Sequence, residues 1–169
     1  MAELIIFVVL GAVAVGAGIA VVAARNPVHS ALFLVVNFFC LAALFLVLSA
    51  EFVAVLQVLV YAGAIMVLFL FVIMLLNVGG VLESLRDPLG SQRWLALLLG
   101  LGLVAEVTAM VISGAVKLPA PSGGIPAGFG SPSEVGLHLY SRYLFPFEVV
   151  SLLLLVAMVG VVVLNKRRD

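Results

Sequence analysis

Glu106 stands inside an apolar run that extends from residue 94 to residue 116, near its centre. An ionised carboxylate in such surroundings costs several kcal/mol or takes up a proton, so it must face other protein or water. That leaves a proton-handling group, or a neutral acid hydrogen-bonded to a neighbouring helix. One carboxylate makes no pathway, and two more stand at the ends of similar runs. Glu51 joins the second run to the third, where an interfacial turn is the plainer reading. Glu148 opens the last run just after Pro146, where an acid in the first helical turn would complement the helix dipole. Glu51, Glu106 and Glu148 are thus candidates for a proton path, each with a structural alternative.

A second constellation lies in residues 52–77, which carry no formal charge. At roughly 1.5 Å of rise per residue, a helix of that length more than crosses a hydrocarbon core of about 30 Å. Gln57, Tyr61 and Gly63 sit near its middle. Gln57 and Tyr61 are four residues apart and so share one face of an α-helix. A tyrosine hydroxyl at that depth needs a carbonyl, a polar side chain or water. Gly63 weakens the helix locally and eases a bulge, and wide π-type turns occur often at functional sites. A glycine there equally permits close approach of a neighbouring helix, and the residues alone do not choose.

These groups need a membrane scaffold. The 169 residues are 66% apolar and 9% charged, and mean hydropathy is +1.41, values of an integral membrane protein. The formal net charge of zero leaves no basic face for nucleic acid. Cys40 is the one cysteine, which excludes an internal disulfide and a cluster site built by this chain alone, since iron–sulfur clusters generally take four ligands. Neither a P-loop nor a Gly-x-Gly-x-x-Gly turn occurs, so the chain reads as part of an enzyme rather than a whole one. The start, Met1-Ala2-Glu3, is acidic where a signal peptide is basic, so the first run reads as a retained span.

The predicted fold is all-α: a single membrane domain over residues 1–169, built as a bundle of five transmembrane helices. The predicted spans are residues 4–24, 27–50, 52–77, 94–116 and 147–164. Continuous apolar runs without alternation argue against a β-barrel. Asn26 is a suitable N-cap and Pro27 suits the first helical position. Gly79, Gly80 and Pro88 mark a loop, and the link from Lys117 to Pro146 is Pro- and Gly-rich through Pro132. Its later part, from Glu134 to Phe145, reads as an interfacial helix with Tyr140 and Tyr143 in the aromatic belt. With the N-terminus outside, the inner segments hold Arg25, Arg86, Arg93, Lys166, Arg167 and Arg168, and the outer ones only Lys117 and Arg142. That bias sets a cytoplasmic C-terminus and separates His29 from His138 by the bilayer. Ala12, Gly16, Ala20 and Ala24 form a small-residue stripe for close packing, within the chain or against another subunit.

Three blocks of sequence resemble one family. They are Asn26-Pro27-Val28-His29-Ser30-Ala31-Leu32, the stretch from Gln57 through Tyr61-Ala62-Gly63-Ala64-Ile65-Met66-Val67-Leu68-Phe69 towards Asn77, and Tyr143-Leu144-Phe145-Pro146-Phe147-Glu148-Val149-Val150-Ser151. The chain resembles the J-type membrane subunit of NADH:quinone oxidoreductase, respiratory complex I, whose mitochondrial counterpart is subunit six. The resemblance implies a non-redox subunit of the bacterial cytoplasmic (inner) membrane, placed among H-, K-, A- and N-type subunits. FMN, iron–sulfur clusters and quinone are then expected in partner subunits, with no cofactor in this chain. It further implies a third helix that can carry a π-bulge, whose conversion to α-helix opens or closes a water wire. By that carry-over Tyr61, Ala62, Gly63, Ala64, Met66 and Phe69 form the gate region. Some family members carry Glu where this chain has Gln57, so no charge is credited there, and Glu106 belongs to no family motif.

Two other readings compete. An independent small ion transporter or antiporter component would use Glu106, Tyr61 and Glu51 to line a pathway, but no internal repeat supports it. A membrane assembly factor would only pack against partners.

Overall fold

The computed structural model describes residues 1–76, 93–113 and 128–166. The expected loop at Gly79, Gly80 and Pro88, Lys117 with the Pro- and Gly-rich stretch after it, and Arg86, Arg167 and Arg168 lie outside the described residues. Within them the chain is helical, with no strand. The helices are α1 (Ala2–Ala23), α2 (Pro27–Val47), α3 (Glu51–Leu56), a π-helical segment (Gln57–Ile65), α4 (Met66–Leu76), α5 (Arg93–Ile112), α6 (Pro132–Ser141) and α7 (Leu144–Asn165). α3, the π segment and α4 form one continuous third helix, Glu51–Leu76, of 26 residues. Together with α1, α2, α5 and α7 it gives five helices long and apolar enough to cross a membrane.

Helix ends follow local chemistry. The Asn26 side chain accepts a hydrogen bond from the Val28 N–H at 2.9 Å, with Pro27 in the first turn. α2 stops at Val47, three residues before the expected end, because the chain closes a Schellman turn. The Ala50 N–H returns to the Phe45 carbonyl at 2.9 Å and the Ser49 N–H to the Leu46 carbonyl at 3.0 Å. Ser49 takes the left-handed position that this turn requires, at φ 59°. α7 begins at Leu144 rather than Phe147, since Pro146 falls in a first turn whose N–H groups have no helical partner anyway. α6 also begins earlier than expected, because Ser131 caps it by accepting from the Glu134 N–H at 3.3 Å. It ends where the N–H groups of Arg142 and Tyr143 both turn back to the His138 carbonyl.

The helices do not form one five-helix bundle. α1 packs along α2, and α2 packs along all three parts of the third helix. α7 touches α6, whereas α5 makes no more than marginal contact with any described helix. The α1–α2 seam also lies beside the predicted small-residue stripe. Of the stripe, Ala12 and Gly16 face outward and Ala20 and Ala24 are half-buried, while Ala17 is buried and Ala14, Gly18 and Val21 are half-buried. Polar side chains on α2 decide the choice. Asn37 donates from Nδ2 to the Ala14 carbonyl at 3.2 Å, and Ser30 donates from Oγ to the Val21 carbonyl at 2.6 Å. Those carbonyls must face α2, which turns the Ala12 and Gly16 side away.

Candidate functional site

The centre of the third helix departs from α-geometry over the whole segment Gln57–Ile65. Met66 closes the segment: its N–H donates to the Tyr61 carbonyl, five residues back instead of four. A wider turn redistributes the side chains. In an α-helix, at about 100° per residue, positions five apart point well away from each other. Here Gln57, Ala62 and Met66 are all buried, at 8%, 7% and 2% exposure, on the side that packs against α2. Ala54 continues that side toward the start of the helix.

The shared face predicted for Gln57 and Tyr61 is therefore not what the chain builds. Gln57 is buried, whereas Tyr61 is 47% exposed, because the π turn spaces a common face by five residues rather than four. The Tyr61 ring is held by an edge contact with Phe38 of α2, with centroids 5.7 Å apart and planes at 65°. Among the described residues its hydroxyl has no hydrogen-bond partner. Gly63 lies over the carbonyl of Val58, and a Cβ at residue 63 would stand 3.2 Å from that oxygen. That contact is tight by a few tenths of an ångström, and outside the local backbone no other atom lies within 4 Å of the position. Ala64 and Phe69 are exposed. Of the six gate residues, the fold brings Ala62 and Met66 to the α2 seam, holds the half-exposed Tyr61 at its rim against Phe38, and leaves Gly63, Ala64 and Phe69 on the outer side.

The three carboxylates are scattered. Glu51 is exposed in the first turn of α3, six residues before the π segment begins. Glu106 is exposed on α5, about 9 Å from that helix's C-terminal end at 1.5 Å per residue. Glu148 is the fifth residue of α7 and exposed, so the first-turn dipole argument does not apply to it. α5 and α7 have at most marginal contact with the third helix, and among the described residues no shared carboxylate site is assembled. His29 is exposed in the first turn of α2.

One feature of this region has no signal in the sequence. The carbonyl of Gly130 accepts the Phe52 N–H at 3.1 Å, meeting one of the unpartnered N–H groups at the start of the third helix. Gly130 has φ 73°, and a Cβ there would strike the Ser49 carbonyl oxygen and stand 3.0 Å from Ala50 Cα. The segment before α6 is thereby pressed against the turn between α2 and α3. Asn37 and Phe38 were readable as polar and aromatic residues within the second span, but their partners lie on other helices.

The family of NADH-ubiquinone/plastoquinone oxidoreductase chain 6 matches residues 17–164, from the middle of α1 nearly to the end of α7. The chain belongs to the chain 6 family. Individual relatives agree. NADH-quinone oxidoreductase subunit J of Rhodobacter capsulatus is 40% identical over 169 aligned residues, covering 95% of this chain and 80% of that protein. NAD(P)H-quinone oxidoreductase chain 6 of Leptolyngbya boryana is 38% identical, over 98% of this chain and 80% of that one. NADH-quinone oxidoreductase subunit J of Escherichia coli K12 is 36% identical, over 90% and 81%. The chain 6 match takes in the π segment, the turn between α2 and α3, and the Gly130 contact. With its five apolar helices, this chain 6 protein is a multi-pass membrane protein.

Proposed function

We propose that the chain is a non-redox membrane subunit of a proton-translocating NADH:quinone oxidoreductase in the bacterial cytoplasmic membrane. Its third helix then gates the proton movement that quinone reduction drives. Family membership supports the assembly, and the π segment at Gln57–Ile65 supports the gate. Recovering the fourth-residue hydrogen-bond pattern removes one residue from the wide turn. One end of the helix must then turn by about 100° relative to the other. Such a turn replaces small Ala62 and flexible Met66 at the α2 seam with different side chains, which opens or closes space for water. Tyr61, Ala62, Gly63, Ala64, Met66 and Phe69 form the moving region.

Electrons travel elsewhere in this reading. Cys40 is the sole cysteine and is buried in α2, which does not fit the ligand set of a cluster. FMN, iron–sulfur clusters and the quinone site belong to partner subunits, and H-, K-, A- and N-type membrane subunits are the neighbours. The N-terminus faces outward and the C-terminus inward, in keeping with the arginine and lysine bias. Glu51, at the start of the gating helix, is the carboxylate best placed to exchange protons with it.

The test is Gly63→Val in the assembled enzyme. The Cβ alone crowds the Val58 carbonyl, and the two methyl groups add to that, so the wide turn is disfavoured. At equal assembled amounts, reconstituted vesicles should pump markedly fewer protons per NADH oxidised. Unchanged pumping would refute the gate. Purification in mild detergent tests membership separately: flavin and iron–sulfur subunits should accompany this chain, with NADH:quinone activity in the same fraction.

A further inference from the structure

We infer that the cleft between α6 and the start of the third helix binds one phospholipid whose headgroup carries a primary ammonium. Such a site needs only a membrane around the chain and stands whether or not the third helix gates protons.

The cleft exists because the Gly130 carbonyl takes the Phe52 N–H, which presses the segment before α6 against residues 48–50. α2 ends there and the third helix begins. Both are long and apolar enough to span, so the cleft opens at the depth of lipid headgroups. Its volume is about 530 Å³, within the range of about 300–1,000 Å³ usual for small-ligand sites. Val53 of the third helix and Val135 and Leu139 of α6 line it with apolar surface suited to the upper part of an acyl chain. Glu134, His138 and Arg142 line it too, at four-residue steps that share one helix face.

Glu134 selects the headgroup. Ser131-Pro132-Ser133-Glu134 has the spacing of a capping box, in which the glutamate returns to the N–H of the capping serine. Only half of the box forms. Ser131 Oγ accepts the Glu134 N–H at 3.3 Å, but the Ser131 N–H is already given to the Gly128 carbonyl at 3.0 Å. Glu134 Oε2 is left shielded from water with no hydrogen-bond partner among the described residues. A shielded carboxylate oxygen without a donor is costly, which favours an incoming group that supplies one. A primary ammonium brings three N–H donors and a positive charge, as a lysine head does. A quaternary ammonium brings the charge without a donor. His138 lies about 6 Å from Glu134 along α6, and the long Arg142 side chain leans back in the same direction, so both can donate to the headgroup phosphate. One carboxylate and one guanidinium match a zwitterion, whereas a headgroup with phosphate alone would leave Glu134 without its donor.

The experiment uses the complex assembled around this chain, reconstituted in phosphatidylcholine vesicles. These carry a trace of phosphatidylethanolamine with a photo-reactive group high on one acyl chain. Adducts should map to Val53 and to α6, about threefold to tenfold above those from phosphatidylcholine and phosphatidylglycerol probes with the same chain. Glu134→Leu should remove that preference for the ethanolamine probe. Leu139→Trp, which fills the cleft, should abolish labelling there while adducts on α7 stay unchanged. Equal labelling by the three probes, stronger labelling by the glycerol probe, or an undiminished preference in Glu134→Leu would overturn the ammonium site. A photo-reactive residue replacing Leu139 should couple to lipid, and coupling to protein alone would overturn the lipid site in favour of a cleft closed by another polypeptide segment.

Discussion

Polar side chains are satisfied in two different ways in this molecule. On α2, Asn37 and Ser30 cross to carbonyls of α1, so each bond ties two helices together. On α5 and α7, Thr108, Ser113 and Ser151 donate to carbonyls three or four residues back in their own helix. The apolar surface follows the same division. Among the described residues, the buried ones lie in α1, α2 and the third helix, and none in α5 or α7. The first three helices thus pack among themselves, while the surfaces of α5 and α7 are left largely uncovered by the described residues. A membrane offers no hydrophobic drive for helices to associate, so this difference rests on close backbone approach and interhelical hydrogen bonds.

Substitutions can break that contrast, starting with the strongest effect. Gly130→Val forces a side chain into the Ser49 carbonyl from a left-handed backbone and should destabilise the packed part by about 3 kcal/mol. The midpoint of thermal unfolding in mild detergent reads it, and an unchanged midpoint would mean the contact does not hold. Ala17→Leu overfills the seam between α1 and α2, at a cost of about 1–3 kcal/mol on the same readout. Asn37→Leu removes an interhelical bond and should cost about 0.5–2 kcal/mol. Ser49→Gly relieves the left-handed serine and should stabilise the chain by about 1 kcal/mol. Smallest is Leu97→Ala on α5, within about 0.5 kcal/mol for the chain alone. A large effect there would show that α5 packs on the rest after all.

The sequence was most legible where one side chain acts on its own backbone. Asn26 and Pro27 announce the start of α2, and the apolar runs announce five helices, because capping and burial in lipid are local properties. It was least legible where a partner is distant. Nothing about Gly130 signals that its carbonyl meets Phe52, far away in the chain. The stripe of Ala12, Gly16, Ala20 and Ala24 was plausible by spacing, yet only Ala20 and Ala24 are half-buried and α1 also turns Ala14, Ala17 and Gly18 inward, where Asn37 and Ser30 reach its carbonyls. Gly63 raised the chance of a bulge without its extent. That extent emerges in the burial of Gln57 alongside Ala62, a five-residue step that only the wide turn allows. The scattered carboxylates were equally beyond spacing arguments, because their separation depends on how α5 and α7 stand apart from the third helix.

The connections at residues 24–26 and 48–50 are short, and the helices they join are the ones that pack together. Order of synthesis is therefore order of packing for the first half of the chain. α1 finds α2, and α2 finds the third helix, as each leaves the ribosome and enters the bilayer. α7 arrives later and meets α6, where the Tyr140 and Phe147 rings stand 5.2 Å apart, while α5 finds no more than marginal contact among the described residues. The apolar surface that α5 and α7 bring into the bilayer is thus the last to be made and the least covered by the described residues.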